Sequence, residues 1–273
     1  MSRMANLRAA VPERLRDWRL WLLQSVANPL LFALFVGWLL IPESRGWHLG
    51  VSLLGIVVLS AAALLLHAGT LAYLAEREDF APAYIGAAYA RALRNLAAFA
   101  ICAAALYLLW RSTDRLDAYQ STLPAYLRSM MPALLRRHIS RAAVSGVYAA
   151  VIFLVRWIIC PALLLPFAAA VAHFGFWGFG QGGLVTRCAL RSGWYWISIA
   201  AAAVAGVLLT TSLVAWRPFA HGASVNSMTR ESASLVIRLS VAYVIGLASW
   251  LATCSVVGEK LQAAVRAGGQ AAP

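Results

Sequence analysis

Charged residues are scarce in this chain, and acidic residues are the scarcest of them. Only 12% of the 273 residues are charged, ten are acidic, and 62% are hydrophobic. Because soluble globular domains carry about 25% charged residues, this composition excludes an ordinary soluble domain. It predicts a protein whose apolar surface is covered by lipid.

Signatures of catalysis and of metal binding are also missing. There is no His-Glu-x-x-His, no Gly-x-Ser-x-Gly and no phosphate-binding loop. The four cysteines share no ligand spacing; three lie in or at the edges of apolar runs, and we place Cys188 in a connecting loop. We therefore predict no catalytic residue, no metal and no cofactor, and an enzyme acting on lipids is the third choice of function.

Carboxylates are absent from the apolar runs, since all ten acidic residues fall in predicted loops, connectors or termini. Proton relays and sodium sites within membranes are usually built on such carboxylates. This absence argues against a transporter driven by an intramembrane Asp or Glu.

The chain contains several long apolar runs that are nearly free of charged residues. A helix needs about 20 apolar residues to cross a bilayer, and the runs predict an all-α, polytopic membrane helix bundle with about six transmembrane helices. The transmembrane domain covers residues 20–258, with spans at about 20–41, 50–75, 83–110, 144–174, 194–216 and 239–257.

Amphipathic segments flank these runs. Residues 1–19 combine a helical apolar stripe with five arginines and predict a basic interfacial helix. A second stripe, between Leu127 and Ile139, predicts another interfacial helix, and residues 259–273 are predicted to form a short polar tail.

The number of crossings has two interpretations. Six crossings with a cytoplasmic N-terminus divide the basic residues almost evenly between the two sides of the membrane. If residues 83–110 dip in and return, five crossings remain and the positive-inside rule is better obeyed. We favour six, because a lipid-facing re-entrant helix leaves backbone groups without partners. The order of elements then suggests two inverted three-helix repeats, as in many transporters.

Arginine supplies 22 of the 23 basic residues, and the arginines flank the apolar runs. This pattern predicts contact with anionic lipids of the bilayer rather than with nucleic acid. The candidate lipid contacts are Arg14, Arg16, Arg19, Arg136, Arg137 and Arg141.

Arg156 stands alone between two apolar stretches. A charge at the bilayer centre costs at least about 2.5 kcal/mol unless it is paired or hydrated. With no acid inside a span, we expect its partner to be a backbone carbonyl, a lipid phosphate or an anionic substrate. The favoured interpretation is that Arg156 extends to the headgroups, in which case lysine should replace it fully.

Three further features have a structural and a functional interpretation. Gln24 and Asn28, beside Pro29, mark either a packing kink or a broken, ligand-binding helix. His67 is either a neutral histidine bonded to a neighbouring helix or a titrating or metal-binding group. The glycine- and aromatic-rich segment 175–183 is predicted to be a loop, either a re-entrant pore element or an interfacial turn.

These features favour a protein of the bacterial inner membrane that acts as a scaffold or as the membrane subunit of an assembly with protein partners. The alternative is a transporter or channel for a small or anionic solute, based on Arg156, the prolines within spans and the order of the helices.

Overall fold

The computed structural model describes residues 17–41, 46–75, 82–218 and 225–269, and within these ranges the chain is helical with no strand. Its α-helices are α1 Trp18–Leu39, α2 Gly46–Ala75, α3 Pro82–Arg94, α4 Leu96–Ala118, α5 Leu123–Met130, α6 Ala133–His138, α7 Arg141–Leu154, α8 Cys160–Phe174, α9 Gly178–Leu190, α10 Gly193–Ala203, α11 Thr210–Ala215 and α12 Val225–Gly269. Two π-helical turns, Val155–Ile159 and Val204–Leu209, join α7 to α8 and α10 to α11.

Six helical segments in the described part of the chain are long and apolar enough to cross a membrane. They are Trp18–Leu39, Gly46–Ala75, Leu96–Ala118, Arg141–Leu190, Gly193–Ala215 and Thr229–Arg266. The predicted all-helical class and the number of long apolar helices are confirmed. Residues 1–16 of the predicted interfacial helix 1–19 lie outside the described residues; its last three residues are the cap of α1, Asp17, and the first two residues of α1.

α1 and α2 form an antiparallel pair. Asp17 caps α1 by accepting a hydrogen bond from the backbone of Arg19, and it also accepts one from the Tyr73 hydroxyl at the end of α2. Near the opposite end, the indole of Trp38 donates to the carbonyl of Ser52 at 2.8 Å. The pair is therefore joined by hydrogen bonds at both of its ends.

The predicted helix 83–110 is divided in two. α3 ends at Arg94, and α4 begins at Leu96 and continues to Ala118. The break falls at Asn95, which has φ −94° and ψ 5° and whose amide donates to the carbonyls of Ala172 and His173 at 3.1 Å each. α4 runs antiparallel to α7 and α8 along its length, since Asn95 meets residues 172–173 and Trp110 meets Trp157.

The glycine-rich segment 175–183 is not a loop. Gly175, at φ +62°, ends α8 and begins one 3-10 turn, and α9 starts at Gly178. α9 then runs back along α8, because a side chain at Gly178 would lie 2.5 Å from the backbone of Val171 and one at Gly182 would lie 2.3 Å from the Phe167 ring. These glycines permit close helix packing, and Cys188, predicted to lie in a loop, lies within α9.

α12 is a 45-residue helix that extends well beyond the predicted span 239–257 and into the predicted polar tail. It runs parallel to α2: Trp250 meets His67, and Gly258 lies against the carbonyl of Leu74. It runs antiparallel to α10 and α11, where Gly206 faces Ser249. Because α2 and α12 point the same way, the beginning of α1 and the end of α12 lie on the same side of the bundle.

The core is concentrated at that end of the bundle. Residues 66 and 68–75 of α2, 168–172 of α8 and 253–257 of α12 are buried. At the opposite end, apolar side chains of α1 and α2 such as Phe32 and Leu54 are 68% and 65% exposed. An exposed apolar surface of this kind is expected for helices that face lipid.

Candidate functional site

The π turn Val155–Ile159 positions Arg156. Pro161 has no N–H to donate to the carbonyl of Trp157, and the backbone adapts with a wider turn in which Cys160 donates to Val155, five residues earlier. The side chain of Arg156 points from this turn towards the end of α4 and is 15% exposed.

Two carboxylates of α4 bind the guanidinium of Arg156. Its Nη2 lies 2.6 Å from Asp114 Oδ1, and its Nη1 lies 3.6 Å from Asp117 Oδ2. Arg111 lies 2.8 Å from the other oxygen of Asp114. Two arginines and two aspartates therefore form a cluster with no net charge, which we call the Arg156 cluster.

Aromatic rings cover the same guanidinium. Its central carbon lies 4.0 Å from the ring centroid of Trp110 and 5.6 Å from that of Trp157, within the range of cation–π attraction. The Nε of Arg156 is buried and has no hydrogen-bond partner among the described residues. The cluster therefore joins α4 to the π turn through charge and ring contacts together.

This geometry corrects the expected partners of Arg156. We expected a carbonyl, a lipid phosphate or a substrate because no acid lies inside an apolar run, but α4 continues past Trp110 and carries Asp114 and Asp117 to the level of Arg156. The spacing of Arg111, Asp114 and Asp117 at intervals of three residues on one helix face is the sequence signal that could have indicated this pairing.

Gln24 is the centre of a second polar group. It is fully buried in α1; its Nε2 donates to Thr70 Oγ1 at 2.5 Å, and its Oε1 accepts from Asn28 Nδ2 at 2.8 Å. Thr70 in turn donates to the carbonyl of Leu66 and lies 3.1 Å from the hydroxyl of Tyr89. This group links α1, α2 and α3.

Two tyrosines complete the polar group around Gln24. The hydroxyl of Tyr243 on α12 donates to the backbone carbonyl of Gln24 at 3.1 Å. Burial raises the pKa of Tyr89, the second of these tyrosines. α1 is continuous through Pro29, and the side chain of Asn28 turns back to Gln24 rather than towards an open site. Gln24 and Asn28 therefore bind each other within a continuous helix.

His67 contacts a ring in place of the expected hydrogen-bond partner. Its imidazole meets the indole of Trp250 edge-on, with centroids 5.3 Å apart. Its Nδ1 and the Nε1 of Trp250 are buried without hydrogen-bond partners in the described structure. Within the described residues no three His, Cys, Asp or Glu side chains are grouped so as to hold a metal ion.

The predicted lipid contacts fall into different environments. Arg14 and Arg16 lie outside the described residues, and the guanidinium of Arg19 lies 5.8 Å from the ring of Trp18. Arg136 donates to the carbonyls of Ser129 and Met131, which makes it an internal support for the turn between α5 and α6.

The other two predicted lipid contacts, Arg137 and Arg141, are exposed. Their side chains make no hydrogen bond or ion pair within the described part of the chain. Unlike the guanidinium of Arg136, those of Arg137 and Arg141 are not engaged by hydrogen bonds within the described residues.

Arg238 of α12 is a charged residue that is only 4% exposed. It binds Glu231 and donates to the carbonyl of Val214 at the end of α11. Because Glu231 precedes Arg238 by seven residues, two helical turns, this spacing was the available sequence signal.

Comparison of the chain with protein-family models, with curated proteins and with solved structures finds no match.

Proposed function

We propose that this chain is an integral protein of the bacterial inner membrane, with a cytoplasmic N-terminus, that acts as a scaffold or as the membrane subunit of an assembly. The six long apolar helices support insertion into a membrane. The observation that carries the scaffold role is that polar side chains between the helices bind one another: Arg156 binds Asp114, and Gln24 binds Thr70. An anion transporter would instead need such groups to face its solute.

A transporter or channel for a small or anionic solute is the second candidate. Two neighbouring helices contain π turns, Val155–Ile159 and Val204–Leu209, and such turns are frequent at functional sites. The proposed inverted repeat would place α1, α2 and α4 in one half and the crossings that end in α12 in the other. Both features are more typical of a transporter, whose helices move during its cycle, than of a scaffold.

Insertion and orientation are tested by labelling single cysteines in a variant without the native ones. Cysteine at Ser121, between α4 and α5, should react with an impermeant thiol reagent in intact cells. Cysteine at Val265, near the end of α12 and 48% exposed, should react only after the membrane is permeabilised. Labelling of both positions in intact cells would contradict the three crossings between them. The reverse pattern would contradict six crossings with a cytoplasmic N-terminus, because it is expected from either five crossings or the opposite orientation.

The two functions are separated by purification in a mild detergent. We expect a companion protein to remain bound at a constant ratio through two chromatographic steps and in a cross-linked sample of intact membranes. A lone protein whose thermal unfolding midpoint rises with a small anion, such as phosphate, would support the transporter and overturn the scaffold.

A further inference from the structure

An apolar groove of about 540 Å³ lies between α7 and the turn that joins α5 to α6. Its walls are Leu127, Met130, Met131, Pro132, Val144, Val147, Tyr148 and Val151. Its volume lies in the range of sites for small organic ligands. The one hydroxyl in its lining, that of Tyr148, is already bonded to the carbonyl of Leu116 at 2.6 Å. The groove therefore presents almost only hydrocarbon to an occupant.

Hydrogen bonds hold the walls in place before anything binds. Arg128 donates to the carbonyls of Ile139 and Arg136, and Arg136 donates to those of Ser129 and Met131. These bonds brace α5 against α6 across Met131. A site that is already formed loses little conformational entropy when a ligand enters.

The groove has a basic end and an apolar end. α7 begins at Arg141, and Val144, one turn later, is the first of its residues in the groove wall. The wall continues to Val151, and at 1.5 Å per residue its length from Arg141 is about 15 Å. Val147 and Val151 are 66% and 51% exposed, so the groove opens sideways along α7.

Two exposed arginines close to the basic end in sequence can bind an anion. Arg141, and Arg137 at the end of α6, are exposed and unpaired within the described residues. Arginine binds phosphate oxygens through two parallel N–H groups. We propose that this groove binds one anionic phospholipid, with the headgroup phosphate on Arg137 and Arg141 and an acyl chain along Val144, Val147 and Val151. The proposal rests on the membrane insertion proposed above.

Other occupants fit less well. A free phosphate ion would gain nothing from the hydrocarbon walls. An α-helix of a partner protein is about 10 Å wide with its side chains and would pass the exposed charge of Arg141, one turn before the groove wall on α7. A zwitterionic lipid would fill the groove equally well but would gain less from the two positive charges.

The test is native mass spectrometry of the purified full chain titrated with phosphatidylglycerol, and with phosphatidylcholine carrying the same acyl chains. We expect one phosphatidylglycerol to bind with an affinity well above that of further copies. Replacing both arginines, Arg137→Gln with Arg141→Gln, should weaken that first site about 30-fold, because each exposed arginine contributes roughly 1 kcal/mol. Phosphatidylcholine binding should change less than threefold.

Filling the groove tests the acyl-chain half of the proposal. Val147→Trp should weaken the first phosphatidylglycerol site at least tenfold, and Val151→Trp, one turn deeper, should do the same if the first variant folds poorly. The matched controls are Val236→Trp, at a residue that is 64% exposed on α12, and the pair Arg230→Gln with Arg266→Gln. Both should bind phosphatidylglycerol like the wild type.

Two results would overturn the proposal that the groove binds an anionic phospholipid. Either the groove-filling variants bind phosphatidylglycerol unchanged, which leaves only a loose attraction of headgroups to arginine, or phosphatidylglycerol and phosphatidylcholine bind alike. Resistance to alkaline carbonate extraction is measured on the same membranes. If the chain stays in the membrane and the first lipid site is absent, the groove proposal fails while insertion stands; if carbonate releases the chain, the proposed insertion fails.

Discussion

Replacement of Arg156 by leucine tests whether the Arg156 cluster stabilises the bundle. The change removes the closer of the two arginines that bind Asp114, whose side chain is 26% exposed, and leaves Arg111 as its remaining partner. It also removes the cation that stacks on the rings of Trp110 and Trp157. Removing one member of a buried ion pair typically costs about 3–5 kcal/mol. Because Asp114 and Arg156 are each partly exposed, we expect about 2–3 kcal/mol.

The paired substitutions identify the cause of this loss. In the double variant Arg156→Leu with Asp114→Leu both members of the closest pair are absent, and the charges that remain, Arg111 and Asp117, have the more exposed side chains of the cluster. We therefore expect less than about 1 kcal/mol of destabilisation. Arg156→Lys keeps the charge but loses the two-point contact with Asp114 and Asp117 and most of the stacking, so it should cost about 1 kcal/mol. This differs from the full replacement by lysine that we expected from the sequence.

Buried thiols provide the assay. Cys102 and Cys254 are 2% and 0% exposed, so in a variant with Cys160→Ser and Cys188→Ser a thiol-reactive dye reports unfolding in detergent as the temperature rises. A loss of 2–3 kcal/mol corresponds to a fall of roughly 5–10 °C in the midpoint for a chain of this size. If the leucine and lysine variants both unfold within 1 °C of the wild type, the Arg156 cluster does not stabilise the bundle and the extension of Arg156 to headgroups is the better interpretation.

Two further predictions use the same thermal assay. Gly258→Ala should destabilise the protein by about 1–3 kcal/mol, because the new carbon would lie 2.3 Å from a backbone carbonyl of α2. The control is Gly246→Ala, which has open space around it and should not change the stability. Equal unfolding midpoints for the two variants would contradict the close packing of α2 and α12. Gln24→Leu should cost about 1–3 kcal/mol, because it removes the hydrogen bond to the buried hydroxyl of Thr70 and the acceptor of Asn28. Gln181→Leu, on the exposed face of α9, is its control. A Gln24 variant as stable as its control would show that the buried hydrogen bonds around Gln24 contribute nothing measurable.

The length and charge of the apolar runs were enough to predict the fold class and six long apolar helices. Hydrophobicity over about 20 residues is a property of each segment alone, so the segments at 20–41, 50–75 and 194–216 could be located without knowledge of their neighbours. The break at Asn95 could not, because the carbonyls of Ala172 and His173 that its side chain binds belong to another helix. The helical conformation of Gly178 and Gly182 was missed for a similar reason. The space that a side chain would need at these two positions is occupied by α8, and the sequence does not show which helix lies there.

The candidate polar residues were named from the sequence alone, but their partners were not. Arg156, Gln24 and His67 stand out because polar groups are costly among apolar ones, and that cost is visible residue by residue. The group that offsets this cost belongs to a second helix, and it depends on where that helix ends and which of its faces points to the first. Asp114 meets Arg156 only because α4 continues two turns past its apolar stretch and runs antiparallel to α7. The sequence by itself determined the apolar helices and the isolated polar groups, while the pairing of those groups and the groove beside Arg141 depend on relative positions that only the tertiary structure decides.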